Sequence, residues 1–254
     1  MNLKKQVLLM FLTLFVISAF SLTGQQVLDL VKDNYQNVKD EKALFDLRMV
    51  DEKGNVQEKE FEIYMYKKSE DVVYAIIRFN KPKSDKNLTL LVKGADNIYL
   101  YMPAFRTTKR ISGAAKNDRF AGSDFTYKDI ELVYKVSDKN YEAELTKEDE
   151  NYYYLHITHN DSELDFKELN MKVDKKLKIP VYIEFFNWQG EKYKSITFEK
   201  IENVKGYNVP KKIVAKNLKE NTVTEIVMKE VEFDIGIPER FFSPVTISKP
   251  ILRF

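Results

Sequence analysis

From Leu44 to Phe233 the chain mostly alternates. Phe45, Leu47 and Met49 interleave with Leu44, Asp46 and Arg48, and Phe61, Ile63 and Met65 with Glu60, Glu62 and Tyr64. Ile98, Leu100 and Met102 take one parity against Tyr99 and Tyr101, and Val181, Ile183 and Phe185 take one against Tyr182, Glu184 and Phe186. Further on, Val223, Val227, Val231 and Phe233 share a parity across from Thr222, Thr224, Glu230 and Glu232. A period of two marks strands with a buried face. Turn residues recur at 52–55, 68–71, 94–97, 189–190, 204–206 and 219–221. The pattern predicts about eleven strands, and such spacing leaves no room for crossover helices, so the sheet is antiparallel. One stretch obeys another rule. Residues 25–40 carry Val27, Leu30, Val31, Tyr35 and Val38 at helical spacing, which predicts one amphipathic helix ahead of the strands.

Several strands are apolar on both faces. Val72, Tyr74 and Ile76 alternate with Val73, Ala75, Ile77 and Phe79. A strand of that kind needs a cover on each side. A curved sheet wrapping helices and an apolar ligand would supply it, and so would a packed sandwich. The aromatic content, 15 Tyr and 17 Phe against one Trp, adds to the surface that must be covered.

Composition narrows the classes. The chain has 254 residues, 41 Lys+Arg, 39 Asp+Glu and no cysteine. That length buries a full core, and the small net charge with 44% hydrophobic residues excludes a disordered chain. Without cysteine there is no disulfide, thiolate nucleophile, thiolate-held metal or lipid-modified N-terminal cysteine. Lys4 and Lys5 precede an apolar run from Val7 to Phe20 that is broken only by Thr13 and Ser18. A spanning helix needs about 20 residues, so the run reads as a secretory signal peptide. Ala19-Phe20-Ser21 fits a small-x-small cleavage site, and cleavage after Gly24 fits nearly as well. The expected organisation is a removed signal, 1–24, and one domain, 25–254, in the periplasm. Loss of Lys4 and Lys5 takes away both excess charges, which leaves no reason to expect nucleic acid.

Candidate chemistry is sparse. His156 and His159, the only histidines, are three apart on a strand pattern and therefore face opposite sides. No nucleophile elbow, zinc-protease helix or phosphate loop is present, so no catalytic or metal-binding residue is assigned. The alternation does stop between Ser112 and Val133. Gly113 and Gly122 are candidate hinges of a loop there, and Ser123 or Asp124 can cap a short helix after it. Asp124 and Asp129 lie near Arg119 in sequence and read as capping and ion-pair groups rather than an acid–base pair. Arg106, Lys109, Arg110, Lys116 and Arg119 form a local basic cluster suited to an anionic headgroup or membrane surface.

Three runs in this region carry a resemblance: Tyr99-Leu100-Tyr101-Met102-Pro103-Ala104-Phe105-Arg106; Lys109-Arg110-Ile111-Ser112-Gly113; and Gly122-Ser123-Asp124-Phe125-Thr126-Tyr127-Lys128-Asp129-Ile130. Together they resemble the outer-membrane lipoprotein-sorting protein family, relatives of the periplasmic lipoprotein carrier LolA. Residues 49–54, the hairpin at 185–191, and Val231-Glu232-Phe233 with Gly236-Ile237-Pro238 are similar too, so the resemblance covers about Leu44 to Phe242. It implies a mainly β fold with a few helices: a single curved antiparallel sheet forming a half-open barrel around helices and an apolar cavity. It implies a carrier of lipid or lipoprotein acyl chains, without cofactor or catalysis, with inner- and outer-membrane components as further partners. The loop between Gly113 and Gly122 and the first helix would form a lid. Arg106, Arg110, Arg119, Phe120, Phe125 and Tyr127 are the lid or ligand-contact candidates. One departure is Asn87, where relatives tend to have glycine. Two other readings stand beside the carrier: an envelope sensor or regulatory domain on the same fold, and an outer-membrane β-barrel. Arg78, Glu184 and Glu225 interrupt the lipid-facing rows a barrel needs, and Pro250 breaks its last strand.

Overall fold

The computed structural model describes residues 22–34, 37–69, 72–94, 97–112, 115, 117–127, 129, 141–162 and 164–254. The signal run, Gly113 and Lys116 lie outside them. The chain forms α1 (Gly24–Asp33), then β1 (Asp40–Val50), β2 (Val56–Lys67), β3 (Val73–Lys81), β4 (Thr89–Lys93), β5 (Ile98–Met102) and β6 (Thr107–Ile111). After a long connection come β7 (Tyr141–Glu148), β8 (Tyr152–His159), β9 (Glu168–Asp174), β10 (Ile179–Phe186), β11 (Lys192–Val204), β12 (Tyr207–Asn217) and β13 (Thr222–Phe233), and last a short helix, α2 (Pro244–Ile247). Among the described residues the strands number thirteen rather than about eleven. They make one antiparallel sheet in the order β6-β5-β4-β3-β2-β1-β13-β12-β11-β10-β9-β8-β7. Every neighbour is a hairpin partner except β1 and β13, whose pairing joins two meanders. The edges, β6 and β7, are not paired to each other, so the sheet is open and no closed barrel forms.

The first helix is shorter than its sequence pattern. Thr23 caps it through a reciprocal pair of bonds: Gln26 N–H donates to Thr23 Oγ1 at 3.2 Å and Thr23 N–H to Gln26 Oε1 at 2.8 Å. The helix buries Val27 and Leu28, not Leu30, against β7 and β8. Gly24 sits so close to β7 that a Cβ there would lie 2.2 Å from the Ala143 carbonyl oxygen. Val38 leaves the helix and joins the core on the other half of the sheet. Asn87 adopts φ 68°, the left-handed region that asparagine shares with glycine, so the departure from the family pattern leaves that turn possible.

The double cover demanded by β3 is present. Ala75, Ile77 and Phe79 face the concave core with Phe45 and Phe61. Tyr64, Ile76 and Leu91 face the other way and meet Ile237, Phe241, Phe242 and Ile247, so the chain after β13 folds back over the outside of the sheet. Its exit is fixed by Asp40, whose carboxylate accepts the Ile235 and Gly236 N–H groups at 2.8 and 3.1 Å. Arg78, on the outer face of β3, is only 2% exposed. It donates to Thr89 Oγ1 at 2.9 Å and to the Ile247 and Lys249 carbonyls at 2.8 and 2.9 Å, satisfying oxygens that α2 leaves unpaired at its end. A guanidinium inside an apolar cover is tolerated because three of its five N–H groups find acceptors there.

Arg78→Met keeps the stem and strands those carbonyls. We expect urea denaturation to show a loss of about 2–4 kcal/mol, and trypsin to cut after Arg240, beside the covering Phe241, faster than in the wild type.

Candidate functional site

The concave face is largely apolar. Register carries one row through Leu100, Leu90, Ile77, Ile63 and Ala43, and another through Ala215, Ile196, Ile183, Met171 and Leu155. Consecutive strands β6 and β7 occupy opposite edges, so the chain between them has to cross from one side of the sheet to the other. Its described residues do so over the concave face. Phe120 and Tyr127 enter the β1–β6 half of the core: Phe120 lies 5.5 Å from the Phe79 ring and 5.6 Å from Tyr127. Phe125 packs against the β7–β12 half. One short segment therefore plugs both halves.

Local chemistry shapes the plug. Phe120 N–H donates to the Phe125 carbonyl at 2.7 Å, closing a tight loop whose tip holds Ala121 at φ 53° and Gly122 at φ 83°. Glycine takes that conformation without penalty, whereas Ala121 is strained there by about 1–2 kcal/mol. Ser123 Oγ donates to the Phe120 carbonyl at 2.7 Å and accepts from Phe125 N–H at 3.2 Å, so it braces the loop. The capping expected of Ser123 and Asp124 falls instead to Thr126. Thr126 N–H donates to Asp129 Oδ2 at 2.7 Å and Asp129 N–H to Thr126 Oγ1 at 3.0 Å. Asp124 is not free to cap because β13 holds it. Its N–H donates to Thr224 Oγ1 at 2.9 Å, the same hydroxyl donates to its Oδ2 at 2.8 Å, and the Thr222 hydroxyl bonds Oδ1. Arg119 lies 3.2 Å from the same carboxylate and 2.5 Å from Glu220.

Two lysines on the concave face reach the plug. Lys59 of β2 donates to the Ala121 carbonyl at 2.8 Å and pairs with Asp85 at 2.6 Å. Lys194 of β11, 4% exposed, pairs with Asp129 at 2.5 Å and lies 4.5 Å over the Phe185 ring. Beside that pair, Asn117, Thr126, Asp165 and Tyr193 line a recess of about 10 Å³, room for at most one water. Burial raises the hydroxyls of Tyr127 and Tyr193 above the usual phenol value, with carboxylates at Asp118, and at Asp129 and Asp165, adding to it. Glu41 also faces inward, between Met65 of β2 and Phe233 of β13. It makes no hydrogen bond or ion pair among the described residues, and burial pushes its carboxyl up to about 7.

Of the candidates named from sequence, Arg119, Phe120, Phe125 and Tyr127 come together in the plug, with Gly122 at its tip. Arg106 and Arg110 stay apart from it, exposed on the β5–β6 turn and on the edge strand β6, and Arg119 turns inward to Asp124 and Glu220, so the basic run does not form one patch. Thr222, Thr224, Lys59 and Lys194 were missed. Lys194 left a signal, since it shares a parity with Ile196 and Phe198. Thr224 was hidden by a bulge in β13: Leu44 pairs with Glu230 but Phe45 with Met228. Alternation flips there, so Val231 and Phe233 face the core as expected, whereas Val223 and Val227 of the same parity turn outward, Val227 is 40% exposed and Thr224 is fully buried. His156 and His159 serve separate faces: His156 Nδ1 lies 3.0 Å from Asn170 Oδ1, and His159 Nε2 lies 2.7 Å from the Phe166 carbonyl. Among the described residues no group of three or more His, Cys, Asp or Glu is placed to hold a metal ion.

The single open antiparallel sheet has the LolA-like fold, and solved structures share that fold. An outer-membrane lipoprotein-sorting protein domain from Vibrio parahaemolyticus is similar at a TM-score of 0.82 and 19% identity, over 89% of this chain and 98% of that one. A DUF1329 family protein from Desulfovibrio piger is similar at 0.81 and 20%, over 89% and 100%. A LolA superfamily protein from Nitrosomonas europaea is similar at 0.71 and 18%, over 89% and 99%. At these identities the likeness is one of fold. No curated protein matches the sequence. A family model described as "Uncharacterized protein" matches residues 71–249, and the chain belongs to that family.

The plug and Glu41 each yield a measurement. Asp124→Ala removes the acceptor for two threonine hydroxyls and Arg119. We expect a stability loss of about 2–3 kcal/mol and faster hydrogen exchange confined to the plug amides. Glu41 in the folded chain keeps its proton up to about 7, whereas the unfolded chain loses it near 4.5. Folding takes up a proton between those values, so stability present at the acid end is lost as pH rises through the window. Glu41→Gln is neutral at every pH. Its melting temperature should match the wild type near pH 4.5 and exceed it near pH 8, where the gain in stability is at most about 3 kcal/mol.

Proposed function

We propose that this protein is an exported, non-enzymatic carrier that holds an acyl chain of a lipid or lipoprotein on its concave face and moves it through the periplasm as part of lipoprotein sorting or envelope lipid traffic. The observation that carries this reading is the broad, largely apolar concave face of the sheet, closed by one segment that is held through a handful of polar contacts. A buried methylene contributes about 0.8 kcal/mol, so a chain that displaces Phe120, Phe125 and Tyr127 replaces like with like and gains from each further carbon. The fold shared with a lipoprotein-sorting domain supports the same reading. Among the described residues no helix is long and apolar enough to cross a membrane. Export rests on the signal-like run before residue 22. Cleavage after Ser21 suits the domain better than cleavage after Gly24, because the mature chain then keeps the Thr23 cap and the Gly24 contact with β7. Arg106 and Arg110, on the exposed side near one edge, are suited to meeting a membrane surface or a membrane-bound partner during loading.

Native mass spectrometry of protein purified from its own envelope is the direct test. The expected result is a co-purified amphiphile, and a delipidated sample that takes up a fluorescent fatty acid with saturation. A sample with neither, but with a stable protein partner, would replace the carrier with a sensor or regulatory domain.

A further inference from the structure

Among the described residues, Lys194 is the concave-face lysine whose charge is balanced chiefly by the plug. The residue is 4% exposed, and the Phe185 and Tyr193 rings lie 4.5 and 5.8 Å from its ammonium. Asp129, itself buried, supplies the contact carboxylate at 2.5 Å. That carboxylate belongs to the crossing segment, not to the sheet, and is held there by its reciprocal bonds with Thr126. Lys59 differs. If the plug moves, Lys59 loses the Ala121 carbonyl but keeps Asp85. If the plug moves, Lys194 keeps only the field of Asp165, which stands at the exposed rim of the recess. A buried ammonium without a partner is strongly disfavoured, so any occupant that displaces the plug must bring a replacement anion to that point.

We infer that Lys194 is the headgroup site of the carrier: Asp129 occupies it when the concave face is plugged, and an oxyanion at the polar end of an acyl chain, a phosphate or carboxylate, takes its place on loading. The inference rests on the carrier reading and sharpens it from any apolar chain to an anionic amphiphile. Asp129 acts as an internal stand-in for the cargo's charge. The exchange makes release reversible, since returning the plug restores the same ion pair.

The test compares dodecyl phosphate, dodecanol and inorganic phosphate for displacement of a fluorescent apolar dye from the delipidated full-length protein. The expected result is that dodecyl phosphate binds roughly ten- to hundred-fold more tightly than dodecanol, the range of a charge-assisted bond, while inorganic phosphate does not bind. Lys194→Met should remove the preference and bind dodecanol more tightly than the wild type does, because no ammonium is left unpaired when the plug moves. Asp129→Asn should tighten dodecyl phosphate by removing its competitor. Because Lys194→Met strands a buried carboxylate, Lys194→Met/Asp129→Asn is the second variant. It holds no buried charge at the pair and should show the same loss of preference with a wild-type circular dichroism spectrum. Equal affinities for the two amphiphiles, or a preference that survives both variants, would overturn the headgroup site and leave the carrier standing. Failure of both amphiphiles to bind, with or without phosphate binding, would overturn the carrier and the headgroup site together.

Discussion

A β-strand with apolar side chains on both faces has to be covered twice, and the rest of this structure depends on that constraint. Thirteen strands in one open sheet present two large surfaces, and hairpins alone cover neither. The chain solves this with its irregular parts. The C-terminal segment beyond β13 folds over the outer face of β2–β5, and α1 and the β6–β7 crossing fill the inner face. Curvature lets a short plug reach both halves of the concave core at once.

Apolar contact alone does not say where a covering segment must sit, because it has no direction. Charged groups supply the direction. Arg78 collects two carbonyls after α2, Asp40 fixes the exit from β13, Asp124 clasps two threonines of β13, and Lys194 takes Asp129. Arg78, Asp40 and Asp124 are each met by several partners and Lys194 by one carboxylate and two aromatic rings, the kind of pairing under which burial of charge is tolerated. Glu41 is the exception, and its raised carboxyl is the cost of facing the apolar side alone. The two kinds of clasp differ in consequence. Arg78 joins parts that have no reason to separate, whereas the Asp124 and Lys194 clasps hold the one segment whose departure would open the concave face.

Much of the sheet was legible as alternation. The strands around Phe45, Phe61, Ile98 and Ile183 stand in the parity read for them, and the two-sided pattern of β3 correctly demanded two covers. The site was legible in part. Phe120, Phe125, Tyr127 and Gly122 stood out because the alternation stops around them. Thr224 did not, because one extra residue in β13 inverts the parity, and a bulge leaves no mark in a row of valines and glutamates. The cap slid from Ser123 and Asp124 to Thr126 because β13 competes for Asp124, and that competitor lies 98 to 100 residues away in the chain.

The sequence by itself determined the local terms: which residues alternate, where turns interrupt them, that the sheet is antiparallel, and that one amphipathic helix precedes it. These come from neighbours one to four positions apart, the range over which periodicity acts. Only the tertiary structure decided that β1 pairs with β13, that the tail rather than a second sheet covers β3, and that Asp129 meets Lys194. Those contacts join residues from 65 to about 190 positions apart. They are set by the shape of the closed core and by which buried charge finds a partner, neither of which exists until the sheet has formed.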